Sequence, residues 1–415
     1  MTRDVREAVA EAHRREWAFV LAATARVAGD IDLAEECVQD AYVSALDAWA
    51  RDGVPANTGA WLTVAARRRA IDAHRRDRTL RTKLPLLIPP DGDQEPEPEL
   101  DEQEPSVIAD DRLRLVFTCC HPALAREAQV ALTLRLVCGL TTEEIAQAFL
   151  VSEATMATRV TRAKKKISAA RVPYRVPAEA DLPERLDAVL TVVHLLFTTG
   201  HTAPGGTDLI RADLVDRAVQ LTLMLQQLMP DEREVRGLLA LLLLTDARRA
   251  TRTAPDGRML LLEEQDRSRW DRDAIAEGQR LVMSALRGGQ PGRFALQAAI
   301  AALHAEAPSY GETDWLQVLR LYDELVRVWP SPVVVLNRTV ALSMVDGPAA
   351  ALAEVALLED DGRLAGYRYL YATKADLLNR LGQRADAAKA YREALAVTAN
   401  AQERDFLTRR LSEVS

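Results

Sequence analysis

Residues 141–167 read TTEEIAQAFLVSEATMATRVTRAKKKI, two short amphipathic segments separated by Val151-Ser152. Thr141 or Thr142 can cap the first segment, with Glu143 and Glu144 in its opening turn, where the helix dipole favours negative charge. Ile145, Ala146, Phe149 and Leu150 recur at i, i+1, i+4 and i+5 and form one apolar face. Ser152 is placed to cap the second segment. In that segment Met156, Val160, Ala163 and Ile167 make a buried stripe, while Ala157, Thr158, Arg159, Arg162, Lys165 and Lys166 face outward. The pattern predicts a helix-turn-helix. Its second helix can enter a DNA major groove, with its N-terminal residues near base edges and its basic end on phosphates. A solvated surface helix with a basic end carries the same pattern, so this stretch alone does not separate the two.

Charge is segregated upstream of it. Residues 28–50, AGDIDLAEECVQDAYVSALDAWA, predict a helix bearing Asp32, Glu35, Glu36, Asp40 and Asp47, with Leu33, Val38, Ala41, Tyr42, Ala45 and Trp49 as its packing face. The next helix begins near Ala60 and holds eight Lys/Arg against two acids between Trp61 and Lys83. Arg67, Arg68, Arg75, Arg76 and Arg78 fall on one or two adjacent stripes, a surface able to track phosphates. Trp61 could stack on a base, but a Trp at the start of an amphipathic helix is more often core. Residues 85–111 then carry ten acids, no base and six prolines. Such a stretch cannot pack a core and reads as an extended linker.

The chain as a whole has 415 residues and a net charge of −8, which calls for several domains and argues against a protein that is basic throughout. Ala, Leu and Arg dominate and aromatics are 5%, which favours helix over strand. The N-terminal residues lack the apolar centre of a secretory signal, and the longest apolar run, Gly237 to Thr245, is too short to cross a bilayer. A cytoplasmic location without membrane contact is expected. Four cysteines suit a reducing compartment, and Cys119-Cys120-His121 has poor chelate spacing with no second ligand pair at zinc-site distance. No metal or cofactor is expected. Neither a phosphate-cradling glycine loop nor a nucleophile elbow occurs, so enzyme chemistry has no support.

Taken together these motifs resemble a known family. GDIDLAEECVQDAYVSALDAW is similar to region 2.2 of bacterial RNA polymerase sigma factors, GAWLTVAARRRAIDAHRRDR to regions 2.3 and 2.4, and 141–167 to region 4.2. The order, with a short linker and no region 3, resembles the extracytoplasmic-function (ECF) class over about residues 8–170. LVFTCCHPAL, with the large helical tail, resembles the ECF subgroup with a TPR-like C-terminal extension. The resemblance implies an all-α chain: region 2 in 1–84, an acidic linker in 85–110, region 4 in 111–172, a helical extension in 184–310 and TPR-like repeats in 311–415. It implies that Glu36, Gln39 and Asp40 dock on the β′ clamp helices of core RNA polymerase, with region 4 toward the β flap. Asn57, Arg67, Arg68, Arg75 and Arg76 are implied to capture the −10 element as single-stranded promoter DNA, and Asp72 to orient neighbouring arginines. Thr155, Thr158, Arg159, Arg162, Lys165 and Lys166 are implied to read the −35 duplex. Ala157 stands where a longer polar side chain is common, so base readout there is expected to be weak. The acidic linker is implied to thread toward the active-site and RNA-exit channel of the polymerase.

The tail is read mostly from spacing. Residues 369–397 contain A-x2-L-x3-G-x4-A-x3-Y-x3-L, close to one tetratricopeptide repeat. Gly347 lies 35 residues before Gly382, and Tyr322 lies 69 before Tyr391. Stacked repeats would form a concave groove for a regulatory protein or peptide, whereas a plain helical bundle would bind nothing. The segment RMLLLEEQDRSRWDRDAIAEG (258–278) suits an interdomain contact as well as a ligand site. The expected function is promoter-specific initiation, modulated by the tail. A repeat-bearing regulator that binds duplex DNA without joining the polymerase is the alternative.

Overall fold

Capping residues and glycines punctuate the chain where the sequence suggests, and helices fill the intervals. The computed structural model describes residues 3–83, 111–149, 151–170, 172, 174, 175, 177 and 181–415. The acidic linker expected at 85–110 lies outside the described residues. The fold is all-α: 18 α-helices among the described residues, with β structure limited to two residues each at β1 (Gly205–Gly206) and β2 (Ala399–Asn400), plus one isolated bridge. The chain divides into two compact units, residues 1–192 and 193–415.

In the first unit α1 (Arg3–Ala28), α2 (Ile31–Asp52) and α3 (Thr58–Lys83) pack against one another. Asp30 caps α2 by accepting from Leu33 N at 2.9 Å, and Gly53, at φ +85°, ends it. Of the apolar face read for α2, Val38, Ala41, Tyr42, Ala45 and Trp49 are buried and Leu33 is half-buried; Trp17 and Leu21 of α1 and Leu62 and Ala66 of α3 are buried as well.

The second helical module of this unit comprises α4 (Asp111–Cys119), α5 (Arg126–Leu132), α6 (Thr142–Ala148) and α7 (Glu153–Ala169). After α5 the chain widens into a π-helical turn, Thr133–Val137, closed by Cys138 N donating to Thr133 O. This turn meets α1, where Trp17 Nε1 donates to Leu136 O at 3.0 Å. Gly139 follows at φ +70°, and a Cβ there would sit 3.0 Å from the Trp17 ring, so only glycine lets the two modules approach this closely. Tyr174 strengthens the junction, its hydroxyl donating toward Ala22 O (3.1 Å) and Asp111 O (3.3 Å). α8 (Leu182–His201) carries the boundary between the units.

The second unit runs through α9 (Ala212–Leu228), α10 (Arg233–Asp246), α11 (Arg272–Leu286), α12 (Arg293–Glu306), α13 (Trp315–Val328), α14 (Pro332–Val345), α15 (Pro348–Asp361), α16 (Arg368–Arg380), α17 (Arg384–Ala396) and α18 (Ala401–Val414). α10 holds the GLLALLLLT run and is buried along most of its length. At Gly237 a Cβ would lie 2.6 Å from Ala295 N, so α10 and α12 touch backbone to backbone. Pro255-Asp256-Gly257 makes the expected tight turn, bridging Thr253 to Met259. From α13 to α18 each helix packs on the next, and Gly347 and Gly382 occupy equivalent turns at φ +88° and +75°. β1 pairs in parallel with β2, and the Asn400 side chain donates to Ala203 O and Asp208 O, tying the first and last segments of the unit together.

Candidate nucleic-acid and polymerase interfaces

The helix-turn-helix is built by its own caps. Glu144 N donates to Thr141 Oγ1 (3.2 Å) and Thr141 N to Glu144 Oε2 (2.7 Å), a reciprocal box that fixes the start of α6. Ser152 does the same for α7, accepting from Thr155 N at 3.2 Å. The four buried residues of α7 are Met156, Val160, Ala163 and Ile167. The expected DNA-reading side chains therefore lie on the opposite surface: Thr155, Thr158, Arg162, Lys165 and Lys166 are exposed and Arg159 is half-buried. Arg159 is positioned from below, its guanidinium 5.9 Å from the Phe149 ring centre. The two threonine hydroxyls are engaged with the helix itself, Thr155 with Ser152 at 2.8 Å and Thr158 with Ala154 O at 2.8 Å. The open cationic surface is thus carried by Arg162, Lys165 and Lys166.

Lys164 belongs to a different contact. Its ammonium donates to Asp32 Oδ1 (2.7 Å) and Glu35 Oε2 (2.5 Å) of α2, and Arg135 Nη2 meets Glu35 Oε1 at 2.6 Å. Burial opposes the charge on Lys164, but the hydrogen bonds to Asp32 and Glu35 outweigh it and hold its pKa above the ordinary lysine value. Glu35 is only 5% exposed, so the acidic helix presents Glu35 and Asp32 to the second module and turns other polar groups to solvent. Glu36, Gln39 and Asp40 are those outward groups, all exposed. Gln39 is steadied by donating to Glu35 Oε1 (3.2 Å). Asp40 Oδ2 lies 3.7 Å from Arg69 Nε, and Arg69 also donates to Ser44 Oγ, which pins α3 to α2.

On α3 the expected −10 set is split between structure and surface. Asn57 caps the helix, its Oδ1 accepting from Ala60 N at 2.9 Å. Arg68, Arg75 and Arg76 are exposed and Arg67 is half-buried. Arg76 Nε donates to the main-chain oxygen of Asp72 at 3.3 Å, so it is the helix rather than the Asp72 carboxylate that orients this arginine. Trp61 is half-buried, edge-on to Trp49 with ring centres 5.7 Å apart, which makes it core on one side and accessible on the other.

The cysteines face inward. All four are free and buried, and burial pushes the Cys119 thiol well up and the Cys120 thiol to about 11. Among the described residues no group of three His, Cys, Asp or Glu side chains could hold a metal ion. None of the helices described is long and apolar enough to cross a membrane.

Comparison with known proteins identifies the modules that carry these side chains. Residues 13–79 match Sigma-70 region 2, residues 114–167 match Sigma-70 region 4, and residues 185–286 match a family of unknown function (DUF6596). An uncharacterized protein of Rhizobium meliloti (strain 1021) is 42% identical over 386 residues, covering 93% of this chain and 91% of that protein. The chain belongs to the sigma-70 family, as a sigma factor of the ECF-like class with a C-terminal extension. It is a non-enzymatic transcription factor that binds RNA polymerase and DNA.

Proposed function

We propose that this sigma factor docks on the β′ clamp helices through Glu36, Gln39 and Asp40, with region 4 against the β flap. Asn57, Arg67, Arg68, Arg75 and Arg76 would capture the melted −10 strand. Thr155, Thr158, Arg159, Arg162, Lys165 and Lys166 would read the −35 duplex. The observation that carries this reading is α7, whose apolar stripe is buried while Arg162, Lys165 and Lys166 are exposed on a helix able to enter a major groove. Exposed acids on α2 and exposed arginines on α3 add the surfaces that a duplex-only regulator does not need. The Lys164–Glu35–Arg135 network supports a further point: the packed arrangement of the two modules is the resting one, and simultaneous use of both promoter elements requires it to open. The C-terminal unit modulates this activity, and a regulatory protein or peptide on its repeats is the proposed partner. The work takes place where the polymerase is, in the cytoplasm.

Run-off transcription with purified core polymerase tests the reading. Promoter-specific transcripts that require the protein support it, and duplex binding without transcripts would favour a regulator outside the polymerase. Removing residues 193–415 in the same assay tests modulation; an unchanged yield would remove that part.

A further inference from the structure

The C-terminal unit contains a cavity of about 870 Å3. Its walls come from the loop at Met259–Glu263, from α12, and from α13, α14, α16, α17 and α18, so neither the extension nor the repeats forms it alone. The volume falls in the range that holds a small organic molecule. Its lining is strongly aromatic, with Tyr310, Trp315, Tyr322, Tyr369 and Tyr391. Two polar atoms of the lining, Trp315 Nε1 and His304 Nδ1, are buried with no hydrogen-bond partner. Leaving such groups unsatisfied is costly, and a ligand could satisfy them.

The charges around the cavity point to the sign of that ligand. Arg368 lies 2.9 Å from Glu403, and Arg410 lies 2.9 Å from Asp376, so these two lining arginines are neutralised. Arg380 is not. It donates only to Ser343, through Nη1 to Oγ (2.8 Å) and Nη2 to the main-chain oxygen (3.0 Å). The remaining lining carboxylate, Glu263, sits on the exposed loop. Three more arginines, Arg248, Arg252 and Arg267, stand outside the lining; none forms an ion pair among the described residues, and Arg267 sits over the Trp270 ring at 4.6 Å. Arg252 donates to His201 O and Thr202 Oγ1, and Arg267 to the main-chain oxygens of His304 and Ala307, leaving its Nη2 without a partner. Burial first, then neighbouring arginines, lower Arg248 to about 10 and Arg252 to about 9. Arg380, a lining cation with no ion pair among the described residues, favours an anion beside it.

We propose that this cavity binds a small aromatic anion, an aryl carboxylate, sulfonate or phosphate, with its acid group on Arg380 and its ring among Tyr310, Trp315 and Tyr322. The site is independent of any protein partner on the repeats and of the polymerase reading, because binding is measured on the isolated protein. The loop that closes it belongs to the charged, Trp-bearing 258–278 segment, which otherwise has no role in reading promoters.

The test is a fluorescence titration of the full-length chain with two probes that share one ring system. 1-Anilinonaphthalene-8-sulfonate carries the anion, and N-phenyl-1-naphthylamine lacks it. The sulfonate should bind saturably at one site and more tightly than the amine. Arg380→Ala, at an exposed position, should weaken the sulfonate roughly tenfold and leave the amine unchanged. Val340→Trp, which fills the cavity from a position already 38% exposed, should remove both signals. Circular dichroism melting of each variant checks that it is folded. Equal binding of the two probes, no saturable sulfonate site, or a sulfonate affinity untouched by Arg380→Ala would overturn the proposal.

Discussion

The N-terminal unit keeps charge at the place where its two modules meet, whereas the C-terminal unit is built around an apolar helix and closed by main-chain pairing. Lys164 and Arg135 converge on Glu35 in the first. In the second, α10 is buried along most of its length and β1 pairs with β2. A partly buried ion-pair network gives little net stability over an apolar contact of the same size, because desolvation offsets most of the attraction. It is, however, exchangeable: another polyanion or a competing acidic or basic surface can take either side. Apolar packing offers no such exchange. The N-terminal unit thus adds an exchangeable ion-pair network to the Trp17 and Tyr174 contacts of its junction, whereas the core of the C-terminal unit is apolar.

Acid should break the comparison most strongly. Burial pushes His194 and His304 down to about 4, and His201 well below its ordinary value, all three in the C-terminal unit. Between that range and the unfolded value of 6.5 the unfolded chain binds protons that the folded unit refuses. Stability is therefore complete above pH 6.5 and falls as the pH drops toward 4, by on the order of 3 kcal/mol each for His194 and His304, with His201 acting in the same direction. Thermal melts followed by hydrogen exchange should show residues 193–415 loosening first; a pH-independent melt of that unit would contradict the assignment.

Glu35→Gln attacks the other half. Lys164 and Arg135 then face a neutral amide, and loss of one partner from a buried network costs about 3 kcal/mol. Protection of the α2 and α7 amides should drop, while the C-terminal unit is untouched. Equal protection in variant and parent would mean that apolar contacts alone hold the modules. Among the groups proposed to face DNA, the double change Arg159→Ala and Arg162→Ala should lower promoter-specific transcripts by roughly a hundredfold, with little change in melting temperature. Transcripts at parental level would move the reading surface off α7. The smallest effect belongs to Lys165→Ala, which should weaken duplex binding for all sequences alike and reduce the slope of log affinity against log salt by about 1. A sequence-dependent loss would instead make Lys165 a base reader.

The helix-turn-helix was legible because everything that builds it is local. Thr141, Ser152 and the stripe at 156, 160, 163 and 167 are a few residues apart, and each has the environment its spacing implies. The Gly382 turn and its buried neighbours Ala375, Leu378, Ala387 and Tyr391 were legible for the same reason. What escaped the sequence were contacts that join distant segments. Lys164 and Glu35 are 129 residues apart, and each reads as an ordinary solvated charge on its own helix. A signal was present all the same. Lys164 is four residues after Val160 and three before Ile167, and Glu35 is three before Val38, so both stand on the edge of a buried stripe. The π-helical turn at Thr133–Val137 had no comparable mark, since its composition is that of any apolar helix. The cavity was illegible in principle, because its walls span Met259 to Arg410 and only folding brings them together.

The small parallel pairing of β1 with β2 also sets an order of assembly. Asn400 reaches Asp208 across 192 residues of chain, so this closing contact forms only after nearly all of the C-terminal unit has been synthesised. The N-terminal unit, residues 1–192, precedes it in the chain. On the ribosome, then, the N-terminal unit emerges first, and a chain cut short before Asn400 lacks the strand that pairs with β1.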